Sequence, residues 1–251
     1  MYYIPDTNIW VDVTQGKISC ADLSSKTGIR VVVAPFMIVE LMRATVRSRG
    51  KYFLGDQTMF RCMAKFDISD LTKVFVYKTL WNISEGGTSK VDANTYKTLL
   101  DMMNKSTSFE NFIAKTESPG SVWKRVSEWD SIHEGVIDKE LGALGKIADS
   151  ASLKSLGVHM SRLYRVGGLL PDPDHFEQTF SAAMEYLRAS AMKLRRGANL
   201  AKNDRGMYID FQILFYLADP DAVIVSNEGF GEITKSSQRN RIISFSEFML
   251  L

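Results

Sequence analysis

Cysteine is nearly absent from this chain. Cys20 and Cys62 are the only two in 251 residues. They lie far apart without a companion Cys or His at ligand spacing, so neither a disulfide framework nor a zinc site is readable. Both are expected to be reduced thiols of a cytoplasmic protein. Histidine is as scarce: His133, His159 and His175 show no ligand spacing, and no catalytic role falls to them. Charge of one sign is lacking too, since 31 Lys and Arg against 29 Asp and Glu leave a net +2. That balance permits an anionic partner without demanding one. Long apolar runs are missing. The most apolar region, 31–42, contains Pro35 and Glu40 and is too short to span a bilayer, so no membrane partner is expected. The N-terminus has no basic segment leading into an apolar core and small-residue cleavage site. Internal repeats and low-complexity tracts are absent as well.

What is present is the composition of an ordinary globular chain, 45% hydrophobic and 24% charged, with length enough to bury a core. Residues 2–5 read as a buried strand that stops at Asp6, and Asp6-Thr7-Asn8 as the turn into a short helix around Ile9 to Val13. Gly28 precedes a second β-branched run, Ile29 to Val33. Ala34-Pro35 ends it, and a helix follows from Phe36 to about Arg49, with Gly50 as its stop. Strand, loop, helix is the half-unit of an α/β fold.

From 51 to 203 helical periodicity dominates. Tyr96, Leu99, Leu100 and Met103 form one stripe, Phe109, Phe112 and Ile113 another, and Phe176, Phe180, Met184 and Leu187 a third. This block is expected to be an all-α insertion, packed on or beside an α/β domain made of 1–50 and 204–251. The α/β pattern returns with an apolar helix from Met207 to about Ala218, a strand at Ala222 to Val225, and a further strand candidate at Arg241 to Phe245.

Four acids stand out. Asp6 ends the first strand, where it serves either as a helix N-cap or as site chemistry at a sheet edge. Glu40 lies in the helix that follows strand two, where a solvated face is the plain alternative. Asp210 sits in an otherwise apolar helix and shares its face with Ile213, Leu214 and Leu217, an expensive place for a carboxylate without a cation or donors. Glu228 follows the third strand with Ser226 and Asn227 between; as a first-turn acid it would also complement a helix dipole. Four carboxylates at one edge of a parallel sheet repel one another, and hard divalent cations with oxygen ligands relieve that repulsion. Mg²⁺ or Mn²⁺ held this way supports hydrolysis of a phosphodiester by a metal-activated water.

These segments resemble the PIN-domain nucleases. Ile4-Pro5-Asp6-Thr7-Asn8 looks like the family's opening strand with its first acid. Ala34-Pro35-Phe36-Met37-Ile38-Val39-Glu40-Leu41 looks like its second-acid helix. Tyr208-Ile209-Asp210-Phe211-Gln212-Ile213-Leu214 is similar to the third-acid segment, and Val223-Ile224-Val225-Ser226-Asn227-Glu228 to the strand leading to the fourth. The likeness covers roughly 1–50 and 204–247. It implies a Rossmann-like parallel sheet flanked by helices, Mg²⁺ or Mn²⁺ at Asp6, Glu40, Asp210 and Glu228, and endoribonuclease activity, often as a toxin held by a protein antitoxin or regulator. A homodimer is compatible with it. Two features depart from the pattern: the fourth acid is Glu where Asp is commoner, and the block between the second and third acids is far longer than in compact toxins.

Thr7, Asn8 and Ser226 are expected to orient waters or carboxylates. Lys193, Arg195, Arg196, Lys202 and Arg205 form a basic run that could face RNA phosphates, and Arg43, Arg47, Arg49 and Lys51 a second run at a helix C-terminus, where cations are favoured anyway. Trp10 could stack a base but fits better as core. The leading expectation is a metal-dependent endoribonuclease acting on single-stranded RNA. The rival is a catalytically silent PIN-like module that binds RNA or protein. A haloacid-dehalogenase-type phosphatase is disfavoured, because that chemistry needs a second Asp where Asn8 stands.

Overall fold

The computed structural model describes residues 1–26, 28–70, 72–81, 93–128, 131, 135, 156–164, 168–195, 210–227, 230, 233 and 236–251. Its centre is a five-stranded, wholly parallel sheet in the order β3-β2-β1-β4-β5. The strands are β1 (Tyr2–Pro5), β2 (Arg30–Val33), β3 (Asp67–Ile68), β4 (Ala222–Val225) and β5 (Ile242–Ile243). The three central strands, Tyr-Tyr-Ile-Pro, Arg-Val-Val-Val and Ala-Val-Ile-Val, are buried but for their first residues in β1 and β2, as a sheet covered by helices on both faces requires. β1 lies at the middle, with Tyr3 beside Val31 of β2 and Val223 of β4.

Pro5 occupies this central strand without removing a ladder bond. Tyr2 and Asp6 donate their backbone N–H groups toward β4, to Asp221 and Val225, both at 2.8 Å. Pro5 is out of phase with them and faces the β2 side, where pairing ends at Tyr3 opposite Val31. The strand therefore reaches Asp6 with its hydrogen bonds to β4 intact.

α1 (Thr7–Thr14) and α2 (Cys20–Ser24) connect β1 to β2, and α3 (Pro35–Arg47) follows β2 directly with Pro35 in its first turn. Arg49 and Gly50 take left-handed conformations, φ 51° and 71°, that end the α3 segment. α4 (Phe53–Met63) packs on α1 and α3. Gly55 permits the first contact, because a Cβ there would stand 2.5 Å from the Thr14 carbonyl oxygen.

Beyond β3 come α5 (Thr72–Trp81), α6 (Ala93–Asn104), α7 (Phe109–Glu117), α8 (Leu156–Ser161), α9 (Pro173–Thr179), α10 (Ser181–Arg195) and, after β5, α11 (Phe245–Met249). The helical stripes read from spacing are buried: Leu99, Met103, Phe112, Phe176, Phe180, Met184 and Leu187 are each fully inaccessible. They belong to the same buried cluster as Ile4 and Val33 of the sheet.

Three expectations need correction. The block after Gly50 is not all-α, because Asp67–Ile68 pairs with Val32 and Val33 as an edge strand of the main sheet. Two residues are too short to show any alternation, so pairing with β2 alone makes them a strand. The third stripe is split between α9 and α10, with Phe180 at φ −110° and ψ 39° between them. Finally, Cys20 and Cys62 are not reduced thiols: they form a disulfide joining α2 to α4, with Cα atoms 5.5 Å apart. Their separation of 42 residues gave no hint, since tertiary packing of the two helices brings them together. The expectation of a cytoplasmic protein rested on free thiols and loses that support. Among the described residues no helix is long and apolar enough to cross a membrane.

Candidate active site

The strand order reverses direction between β1 and β4, and open parallel sheets bind ligands in the crevice beyond the carboxyl ends of strands at such a point. Asp6 and Ser226 are the residues that immediately follow those two strands. A cavity of about 430 Å³ lies there, lined by Asp6, Thr7, Asn8, Glu40 and Asp210, with Asp12, Gln15, Lys17 and Asn227 also on its wall. Three of the four acids singled out in the sequence thus face one space, delivered by β1, α3 and the helical turn at 210–214.

Asp6 is buried, with 3% of its surface exposed. It caps α1, as its position predicts, with Oδ1 accepting from the Thr7 backbone N–H at 2.6 Å. Its Oδ2 accepts from Asn8 Nδ2 at 2.7 Å and from the Ser226 hydroxyl at 3.0 Å. Capping α1 and facing the cavity are therefore compatible. The cap bond and the side-chain bonds hold the two carboxylate oxygens separately and fix the group in the crevice.

Glu40 is half-buried on α3, whose other face carries Met37, Ile38, Leu41 and Met42 into the core. The Thr7 hydroxyl donates to its Oε2 at 2.7 Å. Burial raises the Glu40 carboxyl to about 7 and the nearby Asp6 and Asp210 push in the same direction, while the Thr7 bond and the Arg47 guanidinium oppose them. In its present surroundings the pocket tolerates a further negative charge poorly.

Asp210 lies in the helical stretch 210–214, which continues as a 3-10 segment, Phe215–Ala218. Phe211, Ile213, Leu214 and Leu217 beside it are buried, which explains why the segment reads as apolar. The Tyr186 hydroxyl of α10 donates to Asp210 Oδ2 at 2.8 Å.

Asn8 also links the site to β4: its Nδ2 reaches Ser226 Oγ at 3.0 Å, and its Oδ1 accepts from the Asn227 backbone N–H at 3.1 Å. Asn227 in turn donates to Asp12 Oδ2 at 3.3 Å, and its own Oδ1 accepts from the Phe245 backbone N–H at 3.2 Å, the first residue of α11. Asp12 Oδ1 meets Lys17 Nζ at 3.2 Å.

Thr7, Asn8 and Ser226 therefore touch the carboxylates they were expected to orient. Glu228 lies outside the described residues, as do Arg196, Lys202 and Arg205. Lys193 and Arg195 belong to the last turn of α10, and only their backbone is described. In the second basic run, Arg43 donates to the Ser127 carbonyl and Ser131 Oγ, and Lys51 lies over the exposed Tyr52 ring. Trp10 is wholly buried and donates its Nε1–H to the Pro5 carbonyl at 3.1 Å, so it is core and no base-stacking surface.

Tyr186, Asp12 and Asn227 were missed. Asn8, Asp12 and Gln15 recur at i, i+4 and i+7 along α1 and its C-cap, a signal that could have found Asp12. Nothing in the spacing of α10 points to Tyr186, which sits one residue from the core position Leu187.

The donor set is made of carboxylate oxygens, and the rise at Glu40 shows where positive charge would be welcome; both fit a hard divalent cation. As they stand, each of the three carboxylates accepts a bond from a protein donor. Among the described residues no three acidic, His or Cys groups are drawn together closely enough to hold an ion. In comparisons with known proteins, no family model, no curated protein and no solved structure matches the chain.

Proposed function

We propose that the chain is a metal-dependent endoribonuclease with a PIN-like site, hydrolysing phosphodiester bonds of single-stranded RNA. The observation that carries this reading is the delivery of Asp6, Glu40 and Asp210 from three distant segments to one cavity at the switch point of a parallel sheet. Asp6, Glu40 and Asp210 would hold Mg²⁺ or Mn²⁺. The bound ion would supply an activated water and charge to offset that of the phosphodiester.

The chain's own residues set the stage for that. Asn8 and Ser226 fix Asp6 Oδ2, Thr7 fixes Glu40, and Tyr186 fixes Asp210, so each carboxylate has a partner that limits its rotation. Burial and the neighbouring acids raise the Glu40 carboxyl and favour its proton in the ion-free chain, and a bound cation would take that proton's place. No side chain is assigned as a nucleophile.

Mn²⁺-dependent cleavage of single-stranded RNA by the parent chain, measured beside Asp6→Asn and Asp210→Asn, tests the reading. Cleavage by the parent and loss in both variants are expected; undiminished cleavage in both would sink it. The second reading, a silent PIN-like module, is favoured by one observation: no three described ligand groups are converged for an ion. RNA affinity without Mn²⁺ binding would support that module instead.

A further inference from the structure

The nuclease reading leaves an electrostatic problem at the cavity wall. Asp6, Asp12, Glu40 and Asp210 all face the space that a phosphodiester would have to enter. Like charges gathered round one cavity repel, and a bound divalent ion offsets only part of four carboxylates. Among the described residues that line the cavity, Lys17 is the one cation. Its placement is built rather than incidental. Asp12 Oδ1 holds the ammonium at 3.2 Å, while Asp12 Oδ2 is tied through Asn227 to the end of β4 and to the start of α11. The Lys17 backbone N–H donates to the Asp12 carbonyl at 2.9 Å, so main chain and side chain are anchored to the same residue. Three positions further on, Cys20 fastens the segment to α4 through its disulfide with Cys62. The side chain itself remains 64% exposed. A solvent-facing ammonium on a fixed tether at the mouth of an acidic cavity is suited to an anion that arrives from solvent and stays partly in it.

We infer that Lys17 is a substrate-positioning residue that contacts an RNA backbone phosphate next to the one being cleaved, with Asp12 holding its ammonium in place. This rests on the nuclease reading for the nature of the substrate. The contact is to phosphate, so it is independent of base identity and sensitive to salt. Arg43 and Lys51 are engaged with Ser127, Ser131 and Tyr52, and neither they nor Arg47, Arg49 and Arg61 line the cavity.

The test measures binding and cleavage separately. A fluorescein-labelled single-stranded RNA is titrated with the full-length parent, Lys17→Ala and Lys17→Arg, by anisotropy in Ca²⁺ at several salt concentrations. Cleavage of the same strand is then followed in Mn²⁺ alongside Asp6→Asn. Lys17→Ala should bind about fivefold to tenfold more weakly on U-rich and A-rich strands alike, and its salt slope should fall by about 0.7, the value for one single-strand phosphate contact. KM should rise by the same factor with kcat nearly unchanged, and Lys17→Arg should restore binding. Unchanged affinity and slope in Lys17→Ala, while the parent cleaves and Asp6→Asn does not, would overturn the inference and leave the nuclease reading standing. Lys17-dependent binding without any cleavage would support the phosphate contact and remove the nuclease. A parent chain that binds no RNA would overturn the inference outright.

Discussion

Replacing Glu40 with Gln should stabilise the ion-free protein increasingly as pH rises from 4.5, and fully above about 7. The unfolded carboxyl titrates near its ordinary 4.5, while in the folded chain burial and the neighbouring acids raise it to about 7. Between these values the folded state binds more protons than the unfolded one, so stability falls as pH rises through this window. Below pH 4.5 the penalty is absent; above about 7 it is complete. Two and a half pKa units correspond to about 3 kcal/mol. Glu40 is only half-buried, and water at the cavity mouth lowers that to roughly 1–2 kcal/mol. An amide at position 40 keeps an oxygen for the Thr7 hydroxyl and has nothing to ionise. Urea unfolding of both chains in EDTA should therefore give nearly equal stabilities at pH 4.5, with the variant ahead by roughly 1–2 kcal/mol at pH 8. Saturating Mn²⁺ should reverse the order at pH 8, since an ion at 100 times its Kd adds about 2.7 kcal/mol to the chain that binds it. A stability difference that does not change between pH 4.5 and 8 would refute the electrostatic account of the pocket.

Three further perturbations reach other parts of the account. Tyr186→Phe removes the hydroxyl that holds Asp210, and Mn²⁺ affinity measured by calorimetry should fall at least about tenfold; unaltered affinity would mean Asp210 needs no positioning. Reducing the Cys20–Cys62 disulfide frees a loop of 42 residues, and the urea midpoint should drop by the equivalent of roughly 2–4 kcal/mol; an unmoved midpoint would argue against the bond. Gly55→Ala places a Cβ against the Thr14 carbonyl, so thermal unfolding should show a net loss of about 1–2 kcal/mol despite Ala's better helix propensity.

The three central strands were legible because they are mostly buried and so read as apolar runs: Tyr2 to Pro5, Val31 to Val33 and Ala222 to Val225 each lie within a segment marked by sequence alone. Asp6 and Asp210 were legible because each interrupts an apolar element with a group that burial penalises. What escaped depends on tertiary proximity. β3 is a strand only because β2 lies beside it, the disulfide exists only because α2 meets α4, and Tyr186 matters only because α10 passes Asp210. No local periodicity encodes these meetings. Asp12 stands between the two cases: its spacing from Asn8 and Gln15 was visible, but its value depends on Lys17 and Asn227.

Asp6, Glu40 and Asp210 are proposed to act together as a divalent-cation site. Anomalous diffraction from crystals soaked in Mn²⁺ at pH 8 tests it most directly. The account predicts an anomalous peak in the cavity beyond β1 and β4, within coordinating distance of Asp6 and at least one of the other two carboxylates. A saturating soak that leaves that cavity without a peak, or places Mn²⁺ only elsewhere on the protein, would contradict it.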